Sequence, residues 1–357
     1  MSGVGGVDQA VILVGGQGTR MRPLTDTRPK PMLPLLDLPF VERQVEHLSR
    51  AGVTTIVFSC GYRPKEIEEY FGDGSSRGLT MGYVVDPEPL GTAGAIANAE
   101  PLLHAGDVFV LNGDILTDLD LAALVAHHRG LGADATIALT PVEDPSAFGL
   151  VRTDVDGRVS EFVEKPTADE MIPGEPYRIN AGTYVLSAAA RDAIPKGVQV
   201  SIERDTFPLL AARNAVGALA SDCYWRDIGT PASYRDAHLD VLAGLVSFIP
   251  SPGASWVDDT ATVDPSAVIG AGSCIGPGAV IASGAVVDGA IVGGGSVVGE
   301  GARVTGAVLG RRVTVAPGVV ISGMVVAGDD ATFPDGLVID GGASIPSGAT
   351  AGDTEAR

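Results

Sequence analysis

The sequence predicts an α/β domain with a Rossmann-like, mostly parallel sheet, followed by a C-terminal left-handed parallel β-helix of hexapeptide repeats. Two observations carry this prediction. Up to about Leu245, short apolar runs rich in β-branched residues alternate with amphipathic segments of helical spacing, which is typical of β-α-β units. From about Ser255 onward, aliphatic residues instead recur every six positions. We therefore expect the first domain at 1–248 and the β-helix at 255–350.

The first domain begins with an apolar run that ends in glycine, and later runs end in Gly, Asp or Pro. Between the strand-like runs, "PFVERQVEHLSRAG" and "LDLAALVAHHRGLGA" have the spacing of helices, and we expect His127 and His128 on the second of them to face solvent. Ligands of such folds bind beyond the carboxyl ends of the strands, where most of the polar motifs of this chain lie. The predicted strands are, in order, "VILVGG", "TTIVFSCG", "VFVLNGD", "ATIALTPV" and "INAGTYVLS".

The hexapeptide repeat predicts one short strand on each face of a three-sided coil, with the aliphatic residue pointing inward. Its length predicts four to five turns, and "SPGASW" is the expected junction between the domains. None of the five histidines and no lysine lies inside the repeat, so we expect a structural or regulatory domain and not an acyltransferase. The repeating residues are Val257, Val263, Ile269, Ile275, Ile281, Val287, Val292, Val298, Val304, Leu309, Val315 and Ile321.

Composition narrows the class of protein. A hydrophobic content of 45% with 19% charged residues is typical of a folded chain, and the net charge of −20 argues against nucleic acid or an anionic membrane as a partner. No apolar stretch approaches the ~18 residues of a membrane helix, and the N-terminus lacks the pattern of a signal peptide. The three cysteines are widely separated, which predicts ordinary thiols and a cytoplasmic location.

The stretch "VILVGGQGTRMRPLTDTRPKPMLPL", residues 11–35, is a basic exception in this acidic chain. Its glycines allow backbone amides to approach an anion, Arg20 offers a planar fork to phosphate oxygens, and Lys30 adds a point charge. It contains neither a Walker motif nor a dinucleotide fingerprint. We interpret the basic cluster, which also includes Arg22 and Arg28, as a site that holds a small polyanion.

The sequence resembles the sugar-1-phosphate nucleotidylyltransferases, and within them most closely the mannose-1-phosphate guanylyltransferases, or GDP-mannose pyrophosphorylases. The resemblance spans nearly the whole first domain, and a hexapeptide tail is common in the family. The motifs that carry it are "GGQGTRMRPLTDTRPKPMLP", "PLGTAGAIA", "LNGD", "FVEKP", "INAGTYVL", "SIERDTFP" and "WRDIGTP".

The resemblance implies a role for each matching residue. Arg20 and Lys30 would hold the triphosphate, Asp114 and Asp227 would coordinate Mg²⁺, and Lys165 would grip the sugar phosphate. Without the resemblance, Arg20 and Lys30 could belong to a solvated basic loop. Asp114 and Asp227 could be turn or capping residues, and Lys165 could form a surface ion pair. The remaining contacts implied are Leu13, Gly15, Gly16, Gly18, Thr19, Gly91 and Thr92 to the nucleotide, and Gly149, Glu164, Asn180 and Gly182 to the sugar phosphate. We expect Glu203 and Arg204 to begin a structural helix.

The base is partly readable from Asp86 in "VVDPEPLGTAG". Guanine presents two adjacent hydrogen-bond donors that one carboxylate can accept, whereas thymine or uracil suits an amide. By resemblance, the thymidylyltransferases of this family have Gln near this position. We therefore expect Asp86 to read guanine, although it could instead cap a turn before Pro87.

The predicted function is transfer of GMP from GTP to mannose-1-phosphate, releasing pyrophosphate. The sugar follows from resemblance alone, so glucose-1-phosphate and heptose or cyclitol phosphates stay open, as does thymidylyl transfer. A catalytically silent regulatory subunit is a further alternative, against which the retained motifs argue. We expect small-molecule substrates and a homo-oligomer, because the ends of stacked coils require capping or pairing.

Overall fold

The computed structural model describes residues 6–61, 64–86, 88–171 and 176–353. The chain forms two compact units. Unit one comprises Met1–Gly16 and Arg43–Trp225, and unit two comprises Gln17–Glu42 and Arg226–Arg357. The basic stretch of the sequence therefore continues from unit one into unit two.

Unit one contains a nine-stranded sheet. Its strands are buried on both faces at their centres; Val11, for example, lies opposite Val57 and Val110 in the register, and none of the three is exposed. The strands are β1 (Gln9–Leu13), β2 (Thr55–Cys60), β3 (Thr80–Val85), β4 (Val108–Asn112), β5 (Ala135–Pro141), β6 (Gly149–Thr153), β7 (Val159–Glu164), β8 (Arg178–Leu186) and β9 (Val216–Ala220).

The sheet order is β7-β6-β8-β4-β1-β2-β3, with β5 paired to both β8 and β9. Strands β4, β1, β2 and β3 run parallel, so their carboxyl ends meet at one edge, as the sequence predicts. Strand β8 runs antiparallel to β4 and β5, which makes the other half of the sheet mixed. The predicted Rossmann-like class is confirmed.

Helices occupy the amphipathic segments. Helix α4 begins at the N-cap Asp120, whose carboxylate accepts hydrogen bonds from the amides of Ala122 and Ala123, and ends at Gly132 in the left-handed conformation. None of the described helices is long and apolar enough to cross a membrane. The helices are α1 (Phe40–Arg50), α2 (Pro64–Phe71), α3 (Gly91–Ala99), α4 (Leu121–Leu131), α5 (Ala188–Asp192), α6 (Phe207–Ala211) and α7 (Pro231–Leu242).

The expectation that His127 and His128 face solvent is wrong for His128 and only partly right for His127, which is half-buried. His128 is 3% exposed, and its Nδ1 lies 2.8 Å from the Thr136 hydroxyl of β5. Burial lowers the pKa of His128. The helical spacing places this residue on the face that packs on the sheet, where a hydroxyl satisfies the imidazole.

The predicted helix start near Glu203 and Arg204 is confirmed by an N-cap at Ser201, whose hydroxyl accepts a hydrogen bond from the Arg204 amide. The shorter elements of the chain are the π-helical turn Ile202–Thr206, the 3-10 turns Thr19–Met21, Lys30–Met32, Ser75–Arg77, Glu100–Leu102 and Ala168–Glu170, and the short strands Pro34–Leu35, Leu38–Pro39, Ile115–Thr117 and Trp225–Asp227.

Unit two contains a parallel β-helix consistent with the predicted left-handed form. Face one has six strands, so five complete turns separate its first strand from its last. The strands of face one are Trp256–Val257, Cys274–Ile275, Ile291–Val292, Val308–Leu309, Val326–Ala327 and Ser344–Ile345; of face two, Thr262–Val263, Val280–Ile281, Val297–Val298, Thr314–Val315 and Thr332–Phe333; of face three, Val268–Ile269, Val286–Asp288, Arg303–Thr305, Val320–Ser322 and Val338–Asp340.

From Ile275 onward the predicted inward residues form the buried core of the β-helix, whereas Val263 and Ile269 are only partly buried against it and Val257 is 37% exposed in the first strand. The period continues beyond Ile321 through Ala327, Phe333, Ile339 and Ile345. Ile275, Val304 and Phe333 have no exposed surface. Each strand pairs in register with the one a coil later, for example Val297 with Thr314. The repeat therefore stacks as the hexapeptide pattern indicates.

In unit two, residues 24–36 and α7 cover face one of the β-helix. The outward side chains of this face are buried, with Cys274 and Val308 2% and 1% exposed, whereas Val338 on face three is 71% exposed. The hydroxyl of Tyr234 in α7 donates to the Pro34 carbonyl, and the Arg235 guanidinium donates to the Gly289 carbonyl at 2.9 Å. A pocket lined in part by Leu24, His238 and Val308 remains between these elements.

Candidate active site

Three residues predicted to act on the triphosphate lie together in unit two. The ammonium of Lys30 is 3.8 Å from the Asp227 carboxylate, and the two side chains are 9% and 24% exposed. A Cβ on Gly229 would lie 2.9 Å from the Arg20 guanidinium and 3.1 Å from both carboxylate oxygens of Asp227. Arg20 and Asp227 therefore meet at the backbone of Gly229, and Lys30 lies beside Asp227.

Arg20 stands at a turn that glycine makes accessible. Gly18 has a φ of 62°, which favours glycine, and it precedes the 3-10 turn Thr19–Met21. The Thr25 hydroxyl closes this turn by donating to the Gly18 carbonyl at 2.8 Å. Thr19 and Arg20 are exposed at the turn, so their polar groups are accessible to a ligand.

The other two cations of the basic cluster have different partners, also in unit two. Arg28 is 6% exposed and donates to the Asp329 carboxylate at 2.9 Å. Arg22 is exposed and lies 3.8 Å from Asp26. The interpretation of the whole cluster as one polyanion site is wrong for Arg28, because its guanidinium is buried against a carboxylate of the β-helix.

In unit one, Asp114 is held where strands β1 and β4 end. The amide of Gly113 donates to the Leu13 carbonyl at 2.9 Å, which ties the loop carrying Asp114 to the end of β1. The Gln44 amide nitrogen donates to the carbonyls of Asn112 and Ile115 at 2.8 Å each, on both sides of the aspartate. The half-buried Asp114 is thus presented on a fixed turn.

Gly182 and Asn180 of β8 adjoin the same strand end in unit one. Gly182 has a φ of 69°, and a Cβ there would lie 2.8 Å from the Asn112 amide nitrogen. Asn180 accepts from the Gly182 amide at 2.9 Å and donates to the Tyr184 hydroxyl at 2.8 Å. The register of β8 against β5 shifts here, so the strand bends at the predicted sugar contact.

Lys165 follows β7 in a left-handed conformation. Its φ is 55°, unusual for a residue with a side chain, and its amide donates to the Phe148 carbonyl at 2.9 Å. Gly149 of β6 pairs with Glu164 of β7, so the strand ends that carry two predicted sugar-phosphate contacts are adjacent. The Glu164 side chain lies outside the described part of the structure. Lys165 itself is exposed.

The Trp225 indole packs against the segments that carry the predicted sugar-phosphate contacts. Its nitrogen donates to the Ala181 carbonyl at 2.9 Å, and its ring packs edge-on against Phe148 at 5.6 Å. Both contacts lie within unit one. Trp225 therefore packs beside the predicted sugar contacts.

Gly15 and Gly16 follow β1 and are exposed. Gly15 lies close to Gly61 after β2, since a Cβ on Gly61 would be 2.7 Å from the Gly15 carbonyl oxygen. A Cβ on Gly16 would meet open space. Backbone amides at the ends of β1 and β2 are thus accessible, as an anion site requires.

Asp86 lies just after β3 and is half-buried. One carboxylate oxygen accepts from the Asn98 amide at 2.9 Å, and burial raises the pKa of Asp86 more than this hydrogen bond lowers it. Pro87, before which Asp86 could cap a turn, lies outside the described residues.

Gly91 and Thr92 begin α3 and contact the segment that leads to Glu203. A Cβ on Gly91 would lie 2.5 Å from the Val200 carbonyl. The Thr92 hydroxyl donates to Glu203 at 2.8 Å and accepts from the Ile202 amide at 2.8 Å. Because this hydroxyl is engaged inside the protein, a contact from Thr92 to a nucleotide would use its backbone.

Cys60 and Cys274 are not candidates for catalysis. Cys60, Cys223 and Cys274 are free, and burial raises the pKa of Cys60 and of Cys274 to about 12. A thiol with so high a pKa is not a nucleophile at neutral pH.

Sequence reasoning missed the residues that support the site. Gln44 and Asp329 occur in no motif, and their partners lie far away in the chain, so no local pattern could have indicated them. The left-handed Lys165 was equally unpredictable, because lysine has no preference for that conformation.

Similarity to known proteins shows the family of the chain. Residues 9–244 match the family "Nucleotidyl transferase", and residues 252–353 match "GMPPB C-terminal domain". The chain is 42% identical to a mannose-1-phosphate guanylyltransferase of Mycobacterium tuberculosis, over 71% of each chain. It is 39% identical to a mannose-1-phosphate guanyltransferase of Yarrowia lipolytica, over 66% of this chain and 65% of that one.

A solved structure is also similar. HddC from Yersinia pseudotuberculosis, complexed with GMP-PN, has a TM-score of 0.54 and 31% identity, and the match covers 65% of this chain and 98% of that one. The matched share of this chain is the share expected of the α/β domain alone. The ligand bound to HddC in that structure is a guanine nucleotide.

Proposed function

The chain belongs to the nucleotidyl transferase family, and from that premise we propose that it makes GDP-mannose from GTP and mannose-1-phosphate. The grouping of Arg20 and Lys30 near the Asp227 carboxylate carries the proposal, together with the names of the relatives. A triphosphate needs cations that are held in place, and this arrangement supplies two beside a carboxylate.

The reaction needs no protein nucleophile. A phosphate oxygen of mannose-1-phosphate attacks the α-phosphorus of GTP and forms a new P–O bond. The bond from that phosphorus to the bridging oxygen of the β-phosphate breaks, and pyrophosphate leaves with the electron pair. Catalysis then depends on alignment of the two anions and on neutralisation of the charge that develops on the leaving group.

Arg20 and Lys30 would supply that neutralisation. The exposed guanidinium of Arg20 can donate two parallel hydrogen bonds to phosphate oxygens. Lys30 is almost buried and lies close to Asp227, so its ammonium is restrained before substrate binds. Placement in advance lowers the cost of reorganisation during the reaction.

The family generally uses a divalent metal, and we propose that Mg²⁺ serves here. Asp227 and Asp114 are the candidate ligands, because hard cations prefer carboxylate oxygens. Among the described residues, no group of three or more His, Cys, Asp or Glu could hold a metal, which suits an ion that keeps waters and phosphate oxygens as ligands. When bound, Mg²⁺ would neutralise charge on the phosphates.

Unit one supplies the residues proposed for the sugar phosphate. The left-handed Lys165 would present its ammonium to the phosphate, while Asn180 and Gly182 would contact the sugar. Glu164 would accept from the sugar. The support for these roles is the fixed backbone at the ends of β6, β7 and β8.

The test is a pyrophosphate-release assay on the full chain with Mg²⁺, over GTP, dTTP, UTP, ATP and CTP against mannose-, glucose- and cyclitol-1-phosphates. We expect GTP with mannose-1-phosphate to give the highest kcat/KM. EDTA should abolish release, and added Mg²⁺ should restore it.

Each other outcome corrects a different part of the proposal. Preference for dTTP would keep the chemistry and overturn the assignment of guanine. Preference for another sugar phosphate would overturn mannose alone. No release from folded protein with any pair would favour the silent regulatory subunit.

The cytoplasmic location is a proposal that rests on the three free thiols.

A further inference from the structure

A buried carboxylate of the β-helix binds the basic stretch within unit two. Asp329 is 2% exposed. One of its oxygens accepts from the Thr27 hydroxyl at 2.8 Å, from Arg28 at 2.9 Å and from Arg311 at 2.9 Å. Its other oxygen accepts from the Arg311 backbone amide at 2.8 Å. Two cations and a hydroxyl thus fix one side chain, and two of those three groups belong to the segment that carries Lys30.

The chain between Arg28 and Lys30 is stiff. Pro29 separates them, with a φ of −68°, and Pro31 follows Lys30 in the 3-10 turn Lys30–Met32. Proline fixes its own φ and restricts the residue before it, so Arg28 and Lys30 each have little backbone freedom. The position of the Arg28 backbone therefore determines the position of the Lys30 backbone.

A second ion pair of the same type lies beside the first. Arg312 donates to Asp330 at 2.7 and 2.6 Å, across the same one-coil separation as Arg311 and Asp329. Arg312 and Asp330 are 52% and 51% exposed, however, and the described structure places no residue of the basic stretch against them. A solvated pair of this kind contributes little to stability. The burial of Asp329 and its contact with Thr27 and Arg28 thus distinguish it from its neighbour.

We propose that Asp329 is a positioning residue for the nucleotide triphosphate. By holding Thr27 and Arg28, it sets Lys30 at the distance from Asp227 at which the ammonium meets the phosphates. This inference rests on the proposed function, because it assigns Lys30 to the triphosphate. It gives the β-helix a part in the reaction beyond any role in assembly.

The test compares Asp329→Asn with Asp330→Asn in the full chain. For Asp329→Asn we expect the KM for GTP to rise and kcat/KM for GTP to fall by about tenfold to a hundredfold, the range expected when a reacting group is misplaced. The KM for mannose-1-phosphate should stay within about twofold of the wild-type value. In the reverse reaction, the KM for pyrophosphate should rise and that for the nucleotide sugar should not. Asp330→Asn should match the wild type throughout.

A merely structural role gives a different result. If Asp329 only stabilises the fold, the variant loses active protein, so kcat falls in proportion while both KM values stay constant. Thermal unfolding of each variant identifies that case. Thr27→Val removes one hydrogen bond to Asp329 and keeps the shape of the side chain. It should raise the KM for GTP in the same direction, even if Asp329→Asn does not fold.

Equal kinetics for wild type, Asp329→Asn and Thr27→Val would overturn the inference and leave the proposed function intact. An inactive wild type would overturn the proposed function instead.

Discussion

Four basic side chains stand close together in the chain between Arg20 and Lys30, yet each has different surroundings. Arg20 is exposed beside Gly229, Arg22 pairs with Asp26 at the surface, Arg28 is buried against Asp329, and Lys30 is almost buried near Asp227. Residue type and spacing predicted a polyanion site here. They could not divide Arg28 and Lys30 between protein and ligand, because Asp329 and Asp227 lie some 200 to 300 positions later in the chain.

Replacement of Asp227 with asparagine tests the carboxylate at that site. The amide has the same shape but cannot neutralise the Lys30 ammonium or bind a divalent cation as a carboxylate does. We expect kcat to fall by about a hundredfold or more while the circular dichroism stays native. Asp236→Asn is the matched control, because Asp236 is 45% exposed on α7 and pairs with Arg226 at 3.4 Å. A kcat of Asp227→Asn close to that of the control would contradict the assignment.

Replacement of Asp86 with glutamine tests the reading of the base. An amide presents one donor and one acceptor where guanine requires two acceptors, and it can still accept from Asn98. We expect the ratio of kcat/KM for GTP to that for dTTP or UTP to fall by about tenfold or more. Glu88→Gln, an exposed neighbour, should leave the ratio unchanged. An unaltered ratio in folded Asp86→Gln protein would show that Asp86 does not select the base.

At the scale of elements, the period of the sequence predicted the type of each segment but not the partners of its polar residues. The six-residue period of the β-helix is confirmed, because an inward aliphatic residue at each strand suffices to define the coil. In α4, the spacing predicted the helix, whereas His128 belongs to its buried face, where Thr136 accepts or donates a hydrogen bond. The residue type alone does not predict whether a histidine lies on the buried or the exposed face of a helix, since histidine is common at both kinds of position.

The buried His128 should make stability depend on pH. Burial lowers its pKa in the folded chain, Asp107 at 4.0 Å opposes that effect, and Arg129 adds to it. A lowered folded pKa means that the stabilisation is present above the unfolded pKa of ~6.5 and is lost as the pH falls through the folded value. The urea midpoint should therefore decrease from pH 7.5 to pH 5.

His128→Gln should show a shallower decrease over this range, because glutamine can bond to Thr136 without titrating. His47, whose pKa burial also lowers, accounts for part of the slope that persists. The control is His104→Gln at a side chain 52% exposed, which should retain the wild-type slope. Identical slopes for His128→Gln and wild type would mean that His128 does not carry the effect.

At the scale of the whole chain, local patterns identified both architectures but not how the segments combine. The predicted boundary between 248 and 255 stays a prediction, and it agrees with family matches at 9–244 and 252–353. By contrast, residues 17–42 form a compact unit with the β-helix, which no local pattern indicates. Their prolines and isolated apolar residues have no period, and their partners, such as Asp329 for Arg28, are distant in sequence.

The exposed ends of the stack lead us to expect a homo-oligomer. The outer edge of a terminal strand such as Ser344–Ile345 presents backbone groups that solenoids cap or pair. Light scattering after size exclusion should give a multiple of 36.3 kDa that persists on dilution to micromolar protein. A mass of one chain at every concentration would rule out this expectation.

The contact between Asp329 and Arg28 also limits how the β-helix can evolve. Asp329 follows Val326–Ala327, the fifth strand of face one, and each coil adds about 4.8 Å along the stack. Duplication of one coil before Asp329 would carry its carboxylate out of hydrogen-bonding range of Arg28, whereas duplication after it would leave the contact in place. The number of coils ahead of Asp329 should thus be constant among descendants of this gene, and drift in tail length should be confined to the coils behind it.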